Sequence, residues 1–164
     1  MARSTTIKGK VYKFVHKEDV FIKTNLVGRG SSHEWLEITD DGTILVKGSH
    51  LKGYAWDGCS PKVNFIDLII GTPDGRFDVE TDKQITYYAS MIHDALYQYK
   101  EEIKISRKEV DIIFKLNLKK ADFVLSGIYY FFVRCLGGCY GKWATKETMK
   151  NIVITEHSWH STAK

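Results

Sequence analysis

His93 and Asp94 place an imidazole beside a carboxylate inside an apolar stretch of the chain. The apolar residues around this pair recur at intervals of three and four, which is typical of one buried helix face. Tyr97 follows His93 by four residues, so the two stack on one face of the helix, next to the apolar face. A polar pair in an apolar helix costs free energy unless other groups satisfy it. The pair is therefore the first place where the sequence indicates chemistry.

Asp111 is the predicted partner of His93. Ser106 and Glu109 have the spacing of a capping box, which predicts that a second helix begins there. Two successive helices joined by a short polar loop are expected to pack antiparallel, and this brings Asp111 level with His93. A carboxylate on one ring nitrogen fixes the tautomer and leaves the other nitrogen as a general base. A buried structural pair stays the alternative, because such contacts also occur in structural networks.

Asp57 and Gly58 lie in the segment 52–62, where two glycines and a proline predict irregular backbone. Taken alone, the Asp-Gly pair favours a tight turn with positive φ at the glycine. The second interpretation is a cation loop, in which the Asp57 carboxylate and loop carbonyls bind a metal. Asp94 points about 100° away from His93 around the helix, so it can face Asp57. Two carboxylates and loop carbonyls would form an oxygen-only site that suits Ca²⁺ before Mg²⁺.

The pattern of the surrounding elements predicts an α+β fold, with a small N-terminal antiparallel sheet followed by helices. The chain has 164 residues, which is the size of one domain. The predicted segments are mainly β structure at 5–50, the loop at 54–62, an insertion at 63–86 that is exposed at 71–84, a helical core at 87–138 and a C-terminal tail at 139–164.

Three predictions concern particular elements of this arrangement. A hairpin turn is predicted at residues 40–42, because the Asp-Asp-Gly sequence supplies positive φ at the glycine. A third helix, from about Asp122 to Gly137, is apolar most of the way round, which predicts a central core position or contact with an apolar partner. In the tail, His157 and His160 are predicted to be surface residues.

Composition limits the classes of function. The formal net charge of +4 is mild, so a nucleic-acid partner is not expected. Three cysteines, at Cys59, Cys135 and Cys139, form no CxxC pair and are odd in number, which favours free thiols in a reducing compartment. The first residues lack the apolar segment of a signal peptide, and no apolar run reaches the length of a transmembrane helix.

Three stretches of the chain carry a recognisable pattern when they are taken in order. They are Trp56-Asp57-Gly58-Cys59-Ser60, then His93-Asp94-Ala95-Leu96-Tyr97, then Ser106-Arg107 followed by Asp111, Phe114 and Leu118. This pattern resembles the prokaryotic secreted phospholipase A2 family. It is more closely similar to a family of uncharacterised bacteriophage proteins with Asp-Gly-x-Ser-x and His-Asp-Ala-Leu-Tyr signatures. The resemblance covers roughly residues 54–138 and implies a three-helix, phospholipase A2-like core.

The resemblance implies a role for each matched residue of the helices. His93 would act as the general base that takes a proton from the water attacking the sn-2 ester carbonyl. Asp111 would orient His93, and Tyr97 would support the pair from outside the reacting groups.

The resemblance also implies a calcium site and shows one departure from the family. Asp57, a carbonyl near Gly58, and Asp94 would hold Ca²⁺, which would polarise the ester carbonyl and stabilise the oxyanion. In the secreted enzymes the loop cysteine forms a disulfide with a cysteine three residues before the catalytic histidine. Here Cys59 matches the first position, but the second is Ser90, so the loop lacks that bridge.

The function implied by these observations is a phage-encoded, calcium-dependent ester hydrolase of phospholipase A2 type. Its substrate would be a phospholipid or another ester at a membrane surface, and its location the host cytoplasm or the virion. The alternative is a non-catalytic phage accessory protein that uses the same scaffold to bind or inhibit a host factor. The missing bridge, the insertion at 63–86 and the additional N-terminal sheet favour this alternative.

Overall fold

The structure, a computed structural model, describes residues 6–7, 10–58, 63–65, 68–70, 76–136 and 142–159. Within them the protein has the predicted mixture of α and β structure. The helices are α1 (Tyr87–Gln98), α2 (Arg107–Lys120) and α3 (Ser126–Leu136). The strands are β1 (Thr6–Ile7), β2 (Lys10–Val11), β3 (Phe14–His16), β4 (Val20–Thr24), β5 (Ser31–Ser32), β6 (Leu36–Ile38), β7 (Thr43–Val46), β8 (Tyr54–Trp56), β9 (Val63–Phe65), β10 (Leu68–Ile70) and β11 (Ile154–His157).

The main sheet of the described residues is antiparallel and has the strand order β11-β4-β7-β6-β5. The hairpin predicted at residues 40–42 joins β6 to β7, and Gly42 has a φ of +87°. Side chains alternate between the two faces of a strand, so every second residue enters the core. Ile22 on β4 and its partner Ile44 on β7 are both fully buried. The sheet thus supplies one wall of the core on which the helices pack.

A second pair of strands, β3 and β8, connects the sheet region to α1. Phe14 lies opposite Trp56, and their ring centroids are 5.4 Å apart. Trp56 also meets the edge of Tyr87, the first residue of α1, at 4.7 Å between ring centroids. These aromatic contacts hold β8, and the Asp57 that follows it, close to the start of α1.

The predicted capping box fixes the start of α2. Ser106 Oγ accepts a hydrogen bond from the Glu109 backbone N–H, and the Glu109 carboxylate accepts one from the Ser106 N–H at 2.7 Å. The same buried carboxylate accepts hydrogen bonds from Arg29 and from the backbone N–H of Met149, both at 2.7 Å. Glu109 therefore joins the N-terminal region and the C-terminal segment to the helix that carries Asp111.

The loop and insertion predictions need correction at one place. Tyr54–Trp56, inside the segment predicted to be irregular, forms β8, because β3 offers an edge with which it can pair. Residues 59–62 of the predicted cation loop lie outside the described residues. In the insertion, β9 and β10 pair antiparallel, and the described side chains of Phe77 and Val79 are exposed.

The prediction that His157 is a surface residue is wrong. The tail adds β11 to the edge of the main sheet beside β4, and His157 is buried with its Nε2 3.1 Å from Asn117 Oδ1. Trp159 stacks on Tyr88 of α1 at 4.7 Å between ring centroids. An unpaired sheet edge can accept a further strand, which a pattern confined to the tail does not reveal. His160 lies outside the described residues.

The third helix is shorter and more exposed than predicted. The helix begins at Ser126 and not at Asp122. Asp122 has a φ of +53°, which is not a helical conformation, so the chain turns there after α2. A central core position is wrong: one side, with Val133, packs on Phe114 and Leu118 of α2, while much of the other side is exposed. Among the described residues, no helix is both long and apolar enough to cross a bilayer.

Gly48 offers a test of the packing at the end of the main sheet. A Cβ atom at this position would lie 1.9 Å from the backbone oxygen of Glu18, so Gly48→Ala forces the two segments apart. We expect the free energy of unfolding, measured by urea denaturation, to fall by about 1–3 kcal/mol. Gly127→Ala is the control, because a Cβ there meets no atom within 4 Å. Equal stabilities of the two variants would contradict the close approach at Gly48.

Candidate active site

Helices α1 and α2 bring the predicted pair together. His93 Nε2 lies 3.2 Å from Oδ1 of Asp111, within reach of a hydrogen bond. His93 is 7% exposed and Asp111 is 0% exposed, so the contact is shielded from bulk water. The contact that the sequence predicts is therefore present, and its catalytic role stays a prediction.

The Asp111 carboxylate is engaged at both oxygens. The Tyr97 hydroxyl donates a hydrogen bond to Oδ1 at 2.7 Å, and Arg134 Nη1 donates one to Oδ2 at 2.8 Å. Arg107, one turn before Asp111 on α2, places its Nε 3.7 Å from Oδ2. A buried charge needs such partners, and here they come from all three helices. They fix the orientation of the carboxylate that faces His93.

These contacts decide the protonation states of the cluster. Burial lowers the pKa of His93, but the hydrogen bond to Asp111 and the neighbouring Asp94 outweigh burial and leave the pKa above its ordinary value. Burial raises the pKa of Asp111, but hydrogen bonds from His93, Arg134 and Tyr97 hold it below its usual value. Burial and the Asp111 charge together raise the pKa of Tyr97. At neutral pH Asp111 is thus ionised and Tyr97 is a neutral donor.

Aromatic rings hold the imidazole in place. The His93 ring centroid lies 4.4 Å from that of Tyr97 and 4.7 Å from that of Phe114 on α2. Trp143, from the C-terminal segment, meets Tyr97 edge-on at 4.9 Å. The rings restrict rotation of the imidazole, so Nε2 stays directed at Asp111.

The other ring nitrogen of His93 faces the side of Asp94. Nδ1 lies 3.9 Å from Asp94 Oδ1, which is too far for a hydrogen bond but close enough for electrostatic attraction. Asp94 also influences Tyr54 on β8: burial first, and then the Asp94 charge, raise the pKa of the Tyr54 hydroxyl. Asp94 is therefore close enough to both His93 and Tyr54 for its charge to act on each of them.

A hydrogen bond between Trp56 and Ser90 connects the start of the Asp57 loop to α1. Trp56 Nε1 donates to Ser90 Oγ at 3.1 Å, and Ser90 Oγ donates to the Tyr87 carbonyl at 2.9 Å. Both Trp56 and Ser90 are buried. Ser90 thus holds the residue before Asp57 against α1 without a covalent bond.

The predicted calcium ligands form a chemically suitable but partial set. Asp57 is half-buried directly after β8, and Gly58 has a φ of +83°, as the turn interpretation predicts. The described residues contain no group of three or more histidine, cysteine, aspartate or glutamate side chains that could hold a metal. A site of two carboxylates and backbone carbonyls does not require such a group, and these oxygens suit Ca²⁺. A shared ion between Asp57 and Asp94 stays a prediction.

Arg134 and Trp143 are the two residues around the cluster that the sequence did not predict. The signal for Arg134 was present in the sequence. Arg134 is the only charged residue between Phe123 and Leu136, in an otherwise apolar stretch. A lone charge in such a helix needs a partner, so this signal was readable. Trp143 had no comparable signal, because its contact with Tyr97 depends on the path of the tail across α1 and α2.

The titration of His93 tests the cluster directly. Asp111→Asn is expected to lower the pKa of His93, because burial then acts without the carboxylate that opposes it. Arg134→Met is expected to raise the pKa of His93 above its value in the wild-type protein, because Asp111 then has one cationic partner fewer besides His93. NMR titration of the His93 ring protons measures both shifts, with Asp82→Asn as an exposed carboxylate control that should leave them unchanged.

The sign of the pH dependence follows from the raised pKa. Protonated His93 stabilises the fold fully below the unfolded-state pKa of about 6.5. This stabilisation is lost as the pH rises through the higher pKa of the folded state. If Asp111→Asn left the titration of His93 unchanged, the carboxylate would not be the cause of the shift.

No protein-family model matches this chain, and neither a curated protein nor a solved structure matches it.

Proposed function

We propose that the protein is a calcium-dependent ester hydrolase of the phospholipase A2 type, in which His93 activates water. The observation that carries the proposal is the buried hydrogen bond of 3.2 Å between His93 Nε2 and Asp111 Oδ1. An ionised carboxylate at Nε2 requires that nitrogen to carry the proton, because the carboxylate only accepts. Nδ1 is then the basic nitrogen of neutral His93.

The reaction that suits this arrangement begins with proton transfer to His93. Nδ1 accepts a proton from water while the water oxygen attacks the ester carbonyl carbon, and a tetrahedral oxyanion forms. Asp111 stabilises the imidazolium by its negative charge. When the bond to the alcohol oxygen breaks, the imidazolium returns the proton to that oxygen. The products are a fatty acid and an alcohol.

Tyr97 and Arg134 act on this reaction through Asp111. Their hydrogen bonds, at 2.7 and 2.8 Å, hold the carboxylate in one orientation. Because Arg134 shares the Asp111 charge, it limits how far the pKa of His93 rises. A base whose pKa lies close to the working pH is the most effective, so this balance suits catalysis near neutral pH.

Calcium would be held by Asp57, Asp94 and the carbonyl of Gly58. When bound there, it would supply a positive charge that stabilises the oxyanion of the intermediate. Asp57 and Asp94 are both half-buried, and the hydrogen bond between Trp56 and Ser90 holds the residue before Asp57 on α1. Asp94 would serve both the metal and the electrostatics of His93.

The non-catalytic accessory protein is the second candidate. The observation that favours it is the ion pair between Asp111 and Arg134, since a buried carboxylate satisfied by a cation is also what a purely structural network contains. In that case the cluster would hold the three helices together and the protein would act by binding a host factor. Catalytic activity separates the two candidates.

Release of fatty acid from mixed phospholipid–detergent micelles tests the proposal. We expect release by the wild-type protein in calcium and none in EDTA. His93→Gln should reduce the rate by about 100-fold or more, because general base catalysis contributes at least this factor. His50→Gln is the matched control, because His50 is exposed and pairs only loosely with Glu34 at 3.8 Å.

A calcium titration of the same activity examines the metal ligands. Asp94→Asn should need about tenfold more calcium or more for half-maximal release, since one charged ligand is lost. Asp82→Asn, an exposed carboxylate elsewhere, should behave like wild type. A folded wild-type protein that releases no fatty acid from any phospholipid class in calcium would contradict the hydrolase proposal and favour the second candidate.

A further inference from the structure

Tyr87, the first residue of α1, is the centre of a buried group of rings. Its ring centroid lies 5.4 Å from that of Phe14 and 5.7 Å from that of His16, both on β3, and 4.7 Å from that of Trp56 on β8. All four side chains are buried. We call these four residues the Tyr87 cluster. The cluster joins the β3–β8 pair to the start of α1.

His16 is the member of the Tyr87 cluster that can gain a charge near neutral pH. The Tyr87 hydroxyl lies 3.3 Å from His16 Nδ1 and has no other hydrogen-bond partner among the described residues. Burial raises the pKa of Tyr87, so the hydroxyl keeps its proton and donates it to Nδ1. This hydrogen bond therefore requires an unprotonated Nδ1, which a neutral imidazole supplies.

The groups that face His16 keep it neutral. From β8, Tyr54 lies opposite His16 in the strand pair, and from α1, Tyr88 meets its ring edge-on at 5.7 Å. Burial raises the pKa of both tyrosines, so neither carries a charge at neutral pH. Glu18 favours a charged His16, whereas Lys83 opposes it. Burial has the largest effect, and the pKa of His16 is lower than its ordinary value.

We infer that His16 forms an acid-sensitive contact between β3 and α1. When the ring gains a proton, Nδ1 can no longer accept the hydrogen bond from Tyr87. A positive charge also enters a buried group of rings, where Lys83 repels it. The fold relieves this cost by separating β3 from the start of α1, so that the imidazolium reaches water. Neutral His16 keeps the Tyr87 cluster closed, and acid opens it.

Opening of the Tyr87 cluster acts on the strand that precedes Asp57. Trp56 packs on Tyr87, and its Nε1 donates to Ser90 Oγ, which in turn donates to the Tyr87 carbonyl. A shift of Tyr87 therefore loosens both contacts that hold Trp56 on α1. A weaker hold on Trp56 lowers the calcium affinity of the Asp57 loop. This last consequence rests on the proposed function, but the opening itself does not.

The pH range of the effect follows from the lowered pKa of His16. Its contribution to the closed cluster is fully present above about pH 6.5, the pKa of an exposed histidine, and is lost as the pH falls toward the lower pKa in the fold. His93 has a raised pKa, so its own contribution changes above about pH 6.5. The effects of the two histidines therefore lie on opposite sides of this pH.

Hydrogen exchange of the Trp56 indole N–H, followed by NMR in calcium-free buffer, tests the inference. We expect the protection factor of this N–H to fall by up to about tenfold for each pH unit below about 6.5, because opening takes up one proton. The fall should end at the pKa of His16 in the fold, which its ring protons report in the same sample. His16→Gln keeps an oxygen that can accept from Tyr87 but cannot gain a charge, so it should abolish the fall.

Two variants that retain His16 make the test independent of how well His16→Gln folds. Lys83→Gln should raise the pKa of His16 and so narrow the pH range of the fall. Glu18→Gln should lower this pKa and extend the range to lower pH. Lys104→Gln is the control, because it removes an exposed lysine from the loop between α1 and α2 and should behave like wild type.

A wild-type protection factor that stays constant between about pH 6.5 and the pKa of His16 in the fold would overturn the inference. A fall that His16→Gln retains would also overturn it, as would a pH range that neither Lys83→Gln nor Glu18→Gln alters. Neither calcium nor ester cleavage enters the measurement, so failure of this inference is distinguishable from failure of the hydrolase proposal.

Discussion

The buried carboxylate of Asp111 is the constraint on which the helical part of this protein depends. An isolated charge in the interior is unfavourable by several kcal/mol, and removing one partner of a buried pair typically costs about 3–5 kcal/mol. Asp111 is satisfied by His93 and Tyr97 from α1 and by Arg134 from α3. Its position on α2 therefore fixes how the other two helices are placed. The same contacts that make the charge tolerable also direct it at an imidazole.

The sheet side of the molecule is joined to this cluster by weaker, more numerous contacts. Trp56 packs on Tyr87 and donates a hydrogen bond to Ser90, so the strand before Asp57 is held on α1. Glu109 connects the start of α2 to the N-terminal region through Arg29. The catalytic proposal requires the contacts of Trp56, because the proposed calcium loop must stay at a fixed distance from His93. In this chain a hydrogen bond and aromatic packing hold Trp56, the residue before Asp57, on α1.

Local signals predicted the helices and the central contact, and non-local pairing was what the sequence did not reveal. The capping box at Ser106 and the spacing of apolar residues around His93 placed α1 and α2, and short-loop packing then brought Asp111 to His93. The strand at His157 was missed because it exists only where β4 offers an edge. The central position predicted for α3 was wrong, because the spacing of apolar residues along a helix does not show whether an apolar face is buried or exposed. The calcium site and the hydrolase function stay predictions.

The tautomer of His93 is the most direct test of the account. Nitrogen-15 NMR correlations between the ring nitrogens and ring protons identify which nitrogen carries the proton when the imidazole is neutral. An ionised Asp111 at 3.2 Å from Nε2 predicts the Nε2–H tautomer, with Nδ1 unprotonated and able to accept a proton from water. A neutral His93 with its proton on Nδ1 would contradict the proposed orientation of the pair, and with it the role of His93 as the base.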